Sequence, residues 1–95
     1  MGEISVRVPA ALREVSGGAT AVAVTVSAPT TVGVLLDQLA ATHPALERRL
    51  RDEVGAVRVH VNLFVGADNI RDLDGLATPV PPGAELTIIA AVSGG

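Results

Sequence analysis

The residues with the clearest chemical potential are the last two of the sequence, Gly94 and Gly95. Glycine lacks a Cβ and adopts most backbone angles, so a Gly-Gly tail can thread a narrow channel in another protein. Ser93, Gly94 and Gly95 together extend about 10 Å at most. The one reactive group of this tail is the carboxylate of Gly95, which is a poor acyl donor until it is activated, for instance as an acyl-adenylate. The alternative interpretation is a frayed end without a function.

The sequence holds no pattern that would activate this carboxylate. Nucleotide phosphates are commonly cradled by a glycine-rich loop that leads from a strand into a helix with a lysine. No such loop is present, and the seven basic residues are all arginine. We therefore expect a partner enzyme to activate the tail and to consume the ATP. The chain itself is predicted to be a carrier and protein substrate, not an enzyme, with no catalytic residue and no bound cofactor.

Other reactive side chains are few. The absence of cysteine excludes disulfides, thiolate metal sites and cysteine nucleophiles. His43 and His60 are the only histidines, and a metal site needs three or four ligands. Asp68, Asp72 and Asp74 lack the glycine and the distal glutamate of a calcium loop. No metal site is predicted, and a small enzyme or metal-binding domain is the least supported alternative.

Composition narrows the class of protein further. A chain of 95 residues with 48% hydrophobic residues is predicted to form one domain, residues 1–92, followed by a flexible tail, residues 93–95. A net charge of −3 and a single aromatic residue argue against nucleic acid as a partner. No apolar run approaches the roughly 18 residues of a membrane-spanning helix, and no signal peptide is recognisable. The expected location is the cytoplasm, without a membrane partner.

The N-terminal half predicts a hairpin followed by a helix. Alternation of apolar residues indicates two strands, one with Ile4, Val6 and Val8 and one with Val22, Val24 and Val26, joined by a loop that contains Gly17-Gly18. An apolar stripe at helical spacing then runs along Val32, Leu35, Leu36, Leu39 and Ala40, with Thr30 or Thr31 as the N-cap. Pro44 ends this helix. A short second helix is expected to bury Leu46 and Leu50 and to carry the outward pairs Glu47–Arg51, Arg48–Asp52 and Arg49–Glu53.

The C-terminal half predicts further strands. Residues 57–65 alternate, with Val57, Val59, Val61, Leu63 and Val65 inward and Arg58, His60, Asn62 and Phe64 outward. A short strand is expected around Ile70, and a last strand turns Leu86, Ile88, Ala90 and Val92 inward. Phe64 would then share the outer face with Ile89 and Ala91 and form an apolar docking patch near the root of the tail. The alternative is that Phe64 folds over the sheet edge.

The order of these elements predicts the fold class. A hairpin, a crossover helix and two or three further strands form an α+β protein with a mixed sheet of four or five strands. A right-handed crossover lays the main helix on one face of that sheet. This arrangement is the β-grasp, or ubiquitin-like, fold.

Short motifs run along these elements: Val8-Pro9 with Leu12-Arg13, Gly17-Gly18, Thr31-Val32-Gly33-Val34-Leu35-Leu36, Val61-Asn62, Asn69-Ile70-Arg71, Gly75-Leu76-Ala77-Thr78, Gly83, and Leu86-Thr87-Ile88-Ile89-Ala90-Ala91-Val92-Ser93-Gly94-Gly95. On these motifs the sequence resembles the MoaD/ThiS family of ubiquitin-like sulfur carrier proteins over nearly its whole length. Within the family, the last block and the Asn-Ile-Arg motif are most similar to the CysO-type carriers of cysteine biosynthesis.

The resemblance implies a cycle of sulfur transfer. An E1-like enzyme would adenylate the carboxylate of Gly95, and sulfide or a persulfide would convert it to a thiocarboxylate. In CysO-type systems this sulfur attacks the aminoacrylate of a PLP-dependent cysteine synthase, and a zinc metalloprotease then releases cysteine. Gly94 and Ser93 would line the partner's channel, and Phe64, Ile89 and Ala91 would dock.

Two further alternatives stay open at this point. The carrier could instead serve molybdopterin, thiazole or a sulfur-containing natural product, which differ mainly in the partner enzyme. It could also be a ubiquitin-like protein modifier that is joined to amines through Gly95.

Overall fold

A computed structural model describes residues 2–27 and 29–90 of the chain. The elements, in chain order, are β1 (Gly2–Arg7), a 3-10 helix (Ala10–Val15), β2 (Ala21–Val26), β3 (Thr30–Thr31), α1 (Val32–Thr42), α2 (Pro44–Leu50), β4 (Val61–Val65), β5 (Asp68–Asn69), two 3-10 helices (Ile70–Asp72 and Gly75–Ala77), β6 (Pro79–Val80) and β7 (Glu85–Ala90).

The main sheet has five strands in the order β2-β1-β7-β4-β5. The predicted hairpin is present: β1 pairs antiparallel with β2, and Gly17 and Gly18 adopt the positive φ angles of 70° and 83° that its connection requires. β7 lies at the centre, parallel to β1 and antiparallel to β4. The C-terminal ends of β1 and β7 therefore lie at the same end of the sheet as the start of β4. The predicted mixed β-grasp sheet is confirmed.

One face of the sheet carries the core. α1 packs on this face through Leu35, Leu36 and Leu39, which are fully buried, and α2 adds Leu46 and Leu50. The strands meet the helices with alternate residues: Ile4, Val6, Val22, Val24, Val26, Val61, Leu63, Leu86 and Ile88. The opposite face of the sheet, called the outer face below, carries the other residue of each alternating pair.

Individual side chains determine where the helices begin and how closely α1 packs. The Thr31 side chain accepts a hydrogen bond of 3.3 Å from the Val34 amide, so Thr31 is the N-cap of α1. Pro44 is the first residue of α2, a position where its missing N–H costs nothing. Gly33 allows α1 to approach the 3-10 helix Gly75–Ala77, since a Cβ at Gly33 would lie 3.2 Å from the Leu76 carbonyl oxygen.

The predicted strand over 57–65 is wrong in its first half. β4 begins only at Val61, and Val57 forms no more than an isolated bridge with Arg51. Val59 is 88% exposed, although alternation placed it inward. The physical reason is that the amide of Arg58 donates to the Leu50 carbonyl at the end of α2. The segment before Val61 is thus held by the helix and not by the sheet.

Other local predictions also need correction. The loop through Leu12 is a 3-10 helix, and Ile70 opens a 3-10 helix where a strand was expected. The small sheet that pairs β3 with β6 was not anticipated. Of the three predicted ion pairs, only Glu47–Arg51 forms among the described residues, because α2 ends at Leu50 and the extended backbone of Arg51 takes Asp52 and Glu53 off the helix. Arg51 also binds Asp37 of α1.

Two predictions lie outside what the structure describes or tests. Val92 is not among the described residues, and the boundary between a domain at 1–92 and a tail at 93–95 stays a prediction. No helix in the described ranges is both long and apolar enough to cross a membrane.

Candidate functional site

The predicted tail residues Ser93, Gly94 and Gly95, and the predicted docking residue Ala91, lie outside the described residues. The described chain leads to them through Ala90, the last residue of β7, which pairs with Val61 of β4. In the described chain β1 pairs only with Glu85–Thr87 of β7, so the position of Ala90 is set by its pairing with β4. The candidate site is therefore the end of the sheet at which β7 ends.

Phe64 and Ile89 lie together on the outer face, as alternation predicted. Phe64 pairs with Thr87 and Ile89 pairs with Asn62, which makes Phe64 and Ile89 diagonal neighbours across β4 and β7. Diagonal neighbours lie about 7–8 Å apart, within reach of an aromatic side chain. Ile89 is 49% exposed and Phe64 is half-buried. Whether this patch docks a partner stays a prediction.

The rest of the outer face combines small side chains on β2 with charged side chains on β1. β2 contributes exposed Ala21, Ala23 and Thr25, and β1 contributes Ser5 between Glu3 and Arg7. The helices of the described chain pack on the core face. Within the described residues no α-helix covers β7 and β4 on this face, so a partner protein could approach them.

A polar network beside the patch was missed by the sequence analysis. The Asn62 side-chain oxygen accepts hydrogen bonds from the Asn69 side-chain Nδ2 (3.2 Å) and from the Arg71 Nε (3.2 Å). The Arg71 guanidinium also donates to the Val61 carbonyl at 2.6 Å and to the Arg58 carbonyl at 3.1 Å. These bonds hold the turn that leads into β4, next to the end of β7. The only sign of this network in the sequence is the motif Asn69-Ile70-Arg71. Its contact with Asn62 becomes visible only when the fold brings the two segments together.

A shallow recess of about 210 Å³ lies on the other side of Ile89. Its lining residues are Arg7, Val8, Pro9, Arg13, Thr87, Ile88 and Ile89. The recess forms because the chain turns after β1 into the 3-10 helix and brings Arg13 back beside the end of β7. Neither Arg7 nor Arg13 was predicted from the sequence to belong to a site.

A larger apolar groove of about 540 Å³ lies elsewhere, between Pro29, Thr30, Val80 and the prolines 79, 81 and 82. Pro82 packs against Gly2, where an added Cβ would lie only 2.9 Å from the Pro82 Cβ. Gly2 begins β1, and β1 runs parallel to β7. The groove therefore belongs to the end of the sheet opposite to Ala90.

The ionisable groups offer no catalytic or metal-binding arrangement within residues 2–27 and 29–90. No cluster of three or more His, Asp or Glu side chains could hold a metal ion there. The perturbed group is Arg51: its burial opposes the charged form, but hydrogen bonds and charges from Asp37 and Glu47 outweigh this and raise its pKa. Arg51 joins α1 to α2, so its role is structural.

Comparison with known proteins gives a consistent result. Residues 6–95 match the ThiS family. The sulfur carrier protein CysO of Mycobacterium tuberculosis is 32% identical over 94 residues, covering 97% of this chain and 98% of that protein. Small archaeal modifier protein 1 of Haloferax volcanii is 37% identical over 84 residues, covering 88% of this chain and 91% of that protein.

Solved structures share the fold over the same length. A chain of the BexX/CysO complex from Amycolatopsis orientalis has a TM-score of 0.84 at 30% identity, with 97% of this chain and 99% of that chain covered. Small archaeal modifier protein 1 from Haloferax volcanii also has a TM-score of 0.84, at 34% identity, with 99% and 100% covered.

Proposed function

Because this chain belongs to the ThiS family, we propose that it is a sulfur carrier protein whose C-terminal glycine carboxylate is activated and converted to a thiocarboxylate. The observation that carries the proposal is the placement of β7. The central strand of the sheet ends at Ala90, and five residues that finish in Gly94-Gly95 follow it. Five residues span about 17 Å when extended, enough to enter another protein's active site.

The chemistry requires a partner at each step. The carboxylate of Gly95 attacks the α-phosphate of ATP in an E1-like enzyme, which gives the acyl-adenylate and pyrophosphate. Hydrogen sulfide ion then displaces AMP, which leaves the thiocarboxylate and a proton. Because the described residues hold no catalytic arrangement, this chain acts as the substrate in both steps, and the ATP belongs to the enzyme.

We propose cysteine biosynthesis as the pathway that uses the sulfur. The support is the likeness to the sulfur carrier protein CysO over nearly the whole chain. The acceptor would be a PLP-dependent cysteine synthase, and a zinc metalloprotease would release the product and restore the carrier. Phe64, Ile89 and Ala91 would form the docking patch, with Gly94 and Ser93 in the partner's channel.

The test is the intact mass of the chain after incubation with ATP, sulfide and an E1-like enzyme, with a variant that lacks Gly95 as the control. Replacement of oxygen by sulfur at Gly95 is expected, located by fragmentation because oxidation of Met1 gives nearly the same mass gain. An unchanged mass of the full chain with every E1-like enzyme supplied would contradict the proposal.

A second candidate function is that of a protein modifier, and the observation that favours it is the 37% identity to small archaeal modifier protein 1. A modifier forms an isopeptide bond between Gly95 and an amine of another protein. Affinity isolation of the tagged chain from its own cells under denaturing conditions distinguishes a protein modifier from a sulfur carrier. Covalent conjugates in which Gly95 is joined to a lysine of another protein support the modifier; trypsin leaves residues 72–95 on that lysine, because Arg71 is the last basic residue of the chain. Free chain with a thiocarboxylate supports the carrier.

A further inference from the structure

We propose that three arginines around the end of β7 form a cationic rim that binds acidic side chains on the enzyme that receives the tail. The arginine rim consists of Arg7, Arg13 and Arg71. This inference rests on the proposed function, since it assumes that a partner enzyme handles residues 91–95. It adds a charge requirement on that partner to the apolar contact of Phe64 and Ile89.

Strand register places the arginine rim on both sides of Ile89. On one side Arg7 of β1 pairs with Thr87, two residues before Ile89 on β7, and Arg13 lines the same recess. On the other side Asn62 pairs with Ile89 and accepts the hydrogen bond from Arg71. An exposed apolar side chain is therefore flanked by positive charge at the point where the chain leaves the sheet.

The charges of the arginine rim are weakly neutralised by the chain itself. Arg7 approaches Glu85 to 3.7 Å, and both side chains are about half exposed, 57% and 47%. Within the described ranges, Arg13 and Arg71 form no ion pair with a carboxylate. Arg71 donates to backbone carbonyls and to Asn62, which fixes its guanidinium in place without cancelling the positive charge.

The acidic residues of the sheet differ in their distance from the arginine rim. Glu3 lies near the start of β1, four residues before Arg7, whereas Glu85 at the start of β7 reaches Arg7 across the two strands. Four strand residues span about 13 Å. Glu14 and Asp72 follow Arg13 and Arg71 directly in sequence, and neither forms an ion pair with these arginines in the described ranges. Arg13 and Arg71 are thus the rim arginines without a carboxylate partner among the described residues.

Charge complementarity indicates what fits this surface. The whole chain carries a net charge of −3, whereas three of its seven arginines lie around the end of β7. A partner that binds there needs an apolar socket for Ile89 bordered by aspartate or glutamate. Such pairs contribute mainly to association rate and orientation, and they orient the tail toward the entrance of the channel.

The main test compares two double variants with the same change in charge. Arg7→Glu/Arg13→Glu alters the arginine rim, and Arg48→Glu/Arg49→Glu alters two exposed arginines of α2, away from the outer face. Arg71 is left intact because it also holds the turn before β4. The readout is adenylation of the chain by the E1-like enzyme that acts on the wild type, measured as pyrophosphate exchange at several salt concentrations.

We expect Arg7→Glu/Arg13→Glu to raise KM about tenfold at low salt with little change in kcat. The difference from wild type should shrink as salt rises, because exposed charges are screened. The α2 variant should stay within about twofold of the wild type, since its charges lie off the interface. Equal increases in KM for both variants, or no increase in either, would overturn the arginine rim.

A second measurement needs no enzyme and keeps the inference separate from the proposed function. A hexaglutamate peptide is titrated into the ¹⁵N-labelled chain at low salt, and the shifts of the arginine Nε–H groups and of the backbone amides are followed. We expect the largest changes at Arg7, Arg13 and Ile89, and their loss in Arg7→Glu/Arg13→Glu. Equal changes at Arg48 and Arg49 would show general attraction of a polyanion and contradict a specific surface. A wild-type chain that no E1-like enzyme adenylates would contradict the proposed function alone.

Discussion

Arg51 shows how one charged side chain can join two helices. Its guanidinium contacts Glu47 of α2 at 2.6 Å and Asp37 of α1 at 2.7 Å, and only 12% of its side chain is exposed. Glu47 is 17% exposed, so removal of Arg51 would leave a largely buried carboxylate without its partner. The raised pKa of Arg51 means that folding favours its charged form. This stabilisation is complete below the ordinary arginine pKa and is lost only in strong alkali.

We expect Arg51→Met, which keeps most of the volume and removes the charge, to lower the free energy of unfolding by about 1–3 kcal/mol. Urea denaturation at pH 7 measures the difference. The matched control is Arg49→Met on the exposed side of the same helix, expected to change stability by less than about 0.5 kcal/mol. Equal effects at the two positions would show that the pairs of Arg51 contribute nothing specific.

Arg71 has a different task, because its partners are mostly backbone carbonyls. Lysine carries one compact ammonium and cannot reproduce the planar fork of a guanidinium. Arg71→Lys is therefore expected to destabilise by about 1–2 kcal/mol, through the loss of hydrogen bonds to Asn62 and to the turn before β4. The Val61 amide, which donates to the Arg58 carbonyl, should exchange its hydrogen faster, while the amides of α1 should not. Uniformly faster exchange across the chain would contradict a local role.

At the scale of elements, two neighbouring residues of β7 face opposite sides of the sheet. Ile88 is 1% exposed and lies in the core, whereas Ile89 is 49% exposed on the outer face. Ile88→Gln should cost about 3 kcal/mol or more, because it loses apolar burial and places an amide in the core. Ile89→Gln should change stability by no more than about 1 kcal/mol.

Ile89→Gln, the variant with the smaller effect on stability, is the one expected to impair recognition by the E1-like enzyme. If Ile89 contacts the E1-like enzyme, Ile89→Gln raises the KM of adenylation about tenfold while the variant stays folded. Circular dichroism and urea denaturation establish the folded state before the kinetics. A folded Ile89→Gln chain with the KM of the wild type would contradict the docking role of Ile89.

The elements that sequence analysis located are those with unbroken periodicity. The hairpin, α1 and β7 follow from alternation or from the helical stripe, because each buries one face along its whole length. Residues 57–60 continue the same alternation, but their partner is the end of α2, through the bond from Arg58 to Leu50. This hydrogen bond is a tertiary contact, so the alternation of apolar residues does not reveal it. The pairing of β3 with β6 joins two-residue segments about 50 residues apart and is equally invisible.

The candidate site also has a part that the sequence predicts and a part that it does not. Phe64 and Ile89 were placed on one face by counting alternate residues, and the register confirms that placement. Arg7, Arg13 and Arg71 come from three separate segments that meet only when β1 and β4 flank β7. Their grouping depends on strand order, which no local pattern specifies.

At the scale of the whole molecule, the fold and the proposed chemistry occupy separate parts of the chain. Every core residue in the described chain lies between Ile4 and Ile88, and the last described pairing is that of Ala90 with Val61. The carboxylate that the proposed function requires lies five residues beyond this point. Stability and activation should therefore separate cleanly on truncation.

We expect a chain that ends at Val92 to keep the free energy of unfolding of the full chain within about 0.5 kcal/mol, because no core residue is removed. The same chain should give no adenylate and no thiocarboxylate with the E1-like enzyme, since its carboxylate lies three residues short of the reacting position, about 10 Å when extended. It should still compete with the full chain for the enzyme, because Phe64, Ile89 and the arginine rim remain. Competition without turnover would assign recognition to the sheet and chemistry to the tail. Loss of more than 1 kcal/mol would instead show that residues 93–95 belong to the folded domain, contrary to the boundary predicted at Val92.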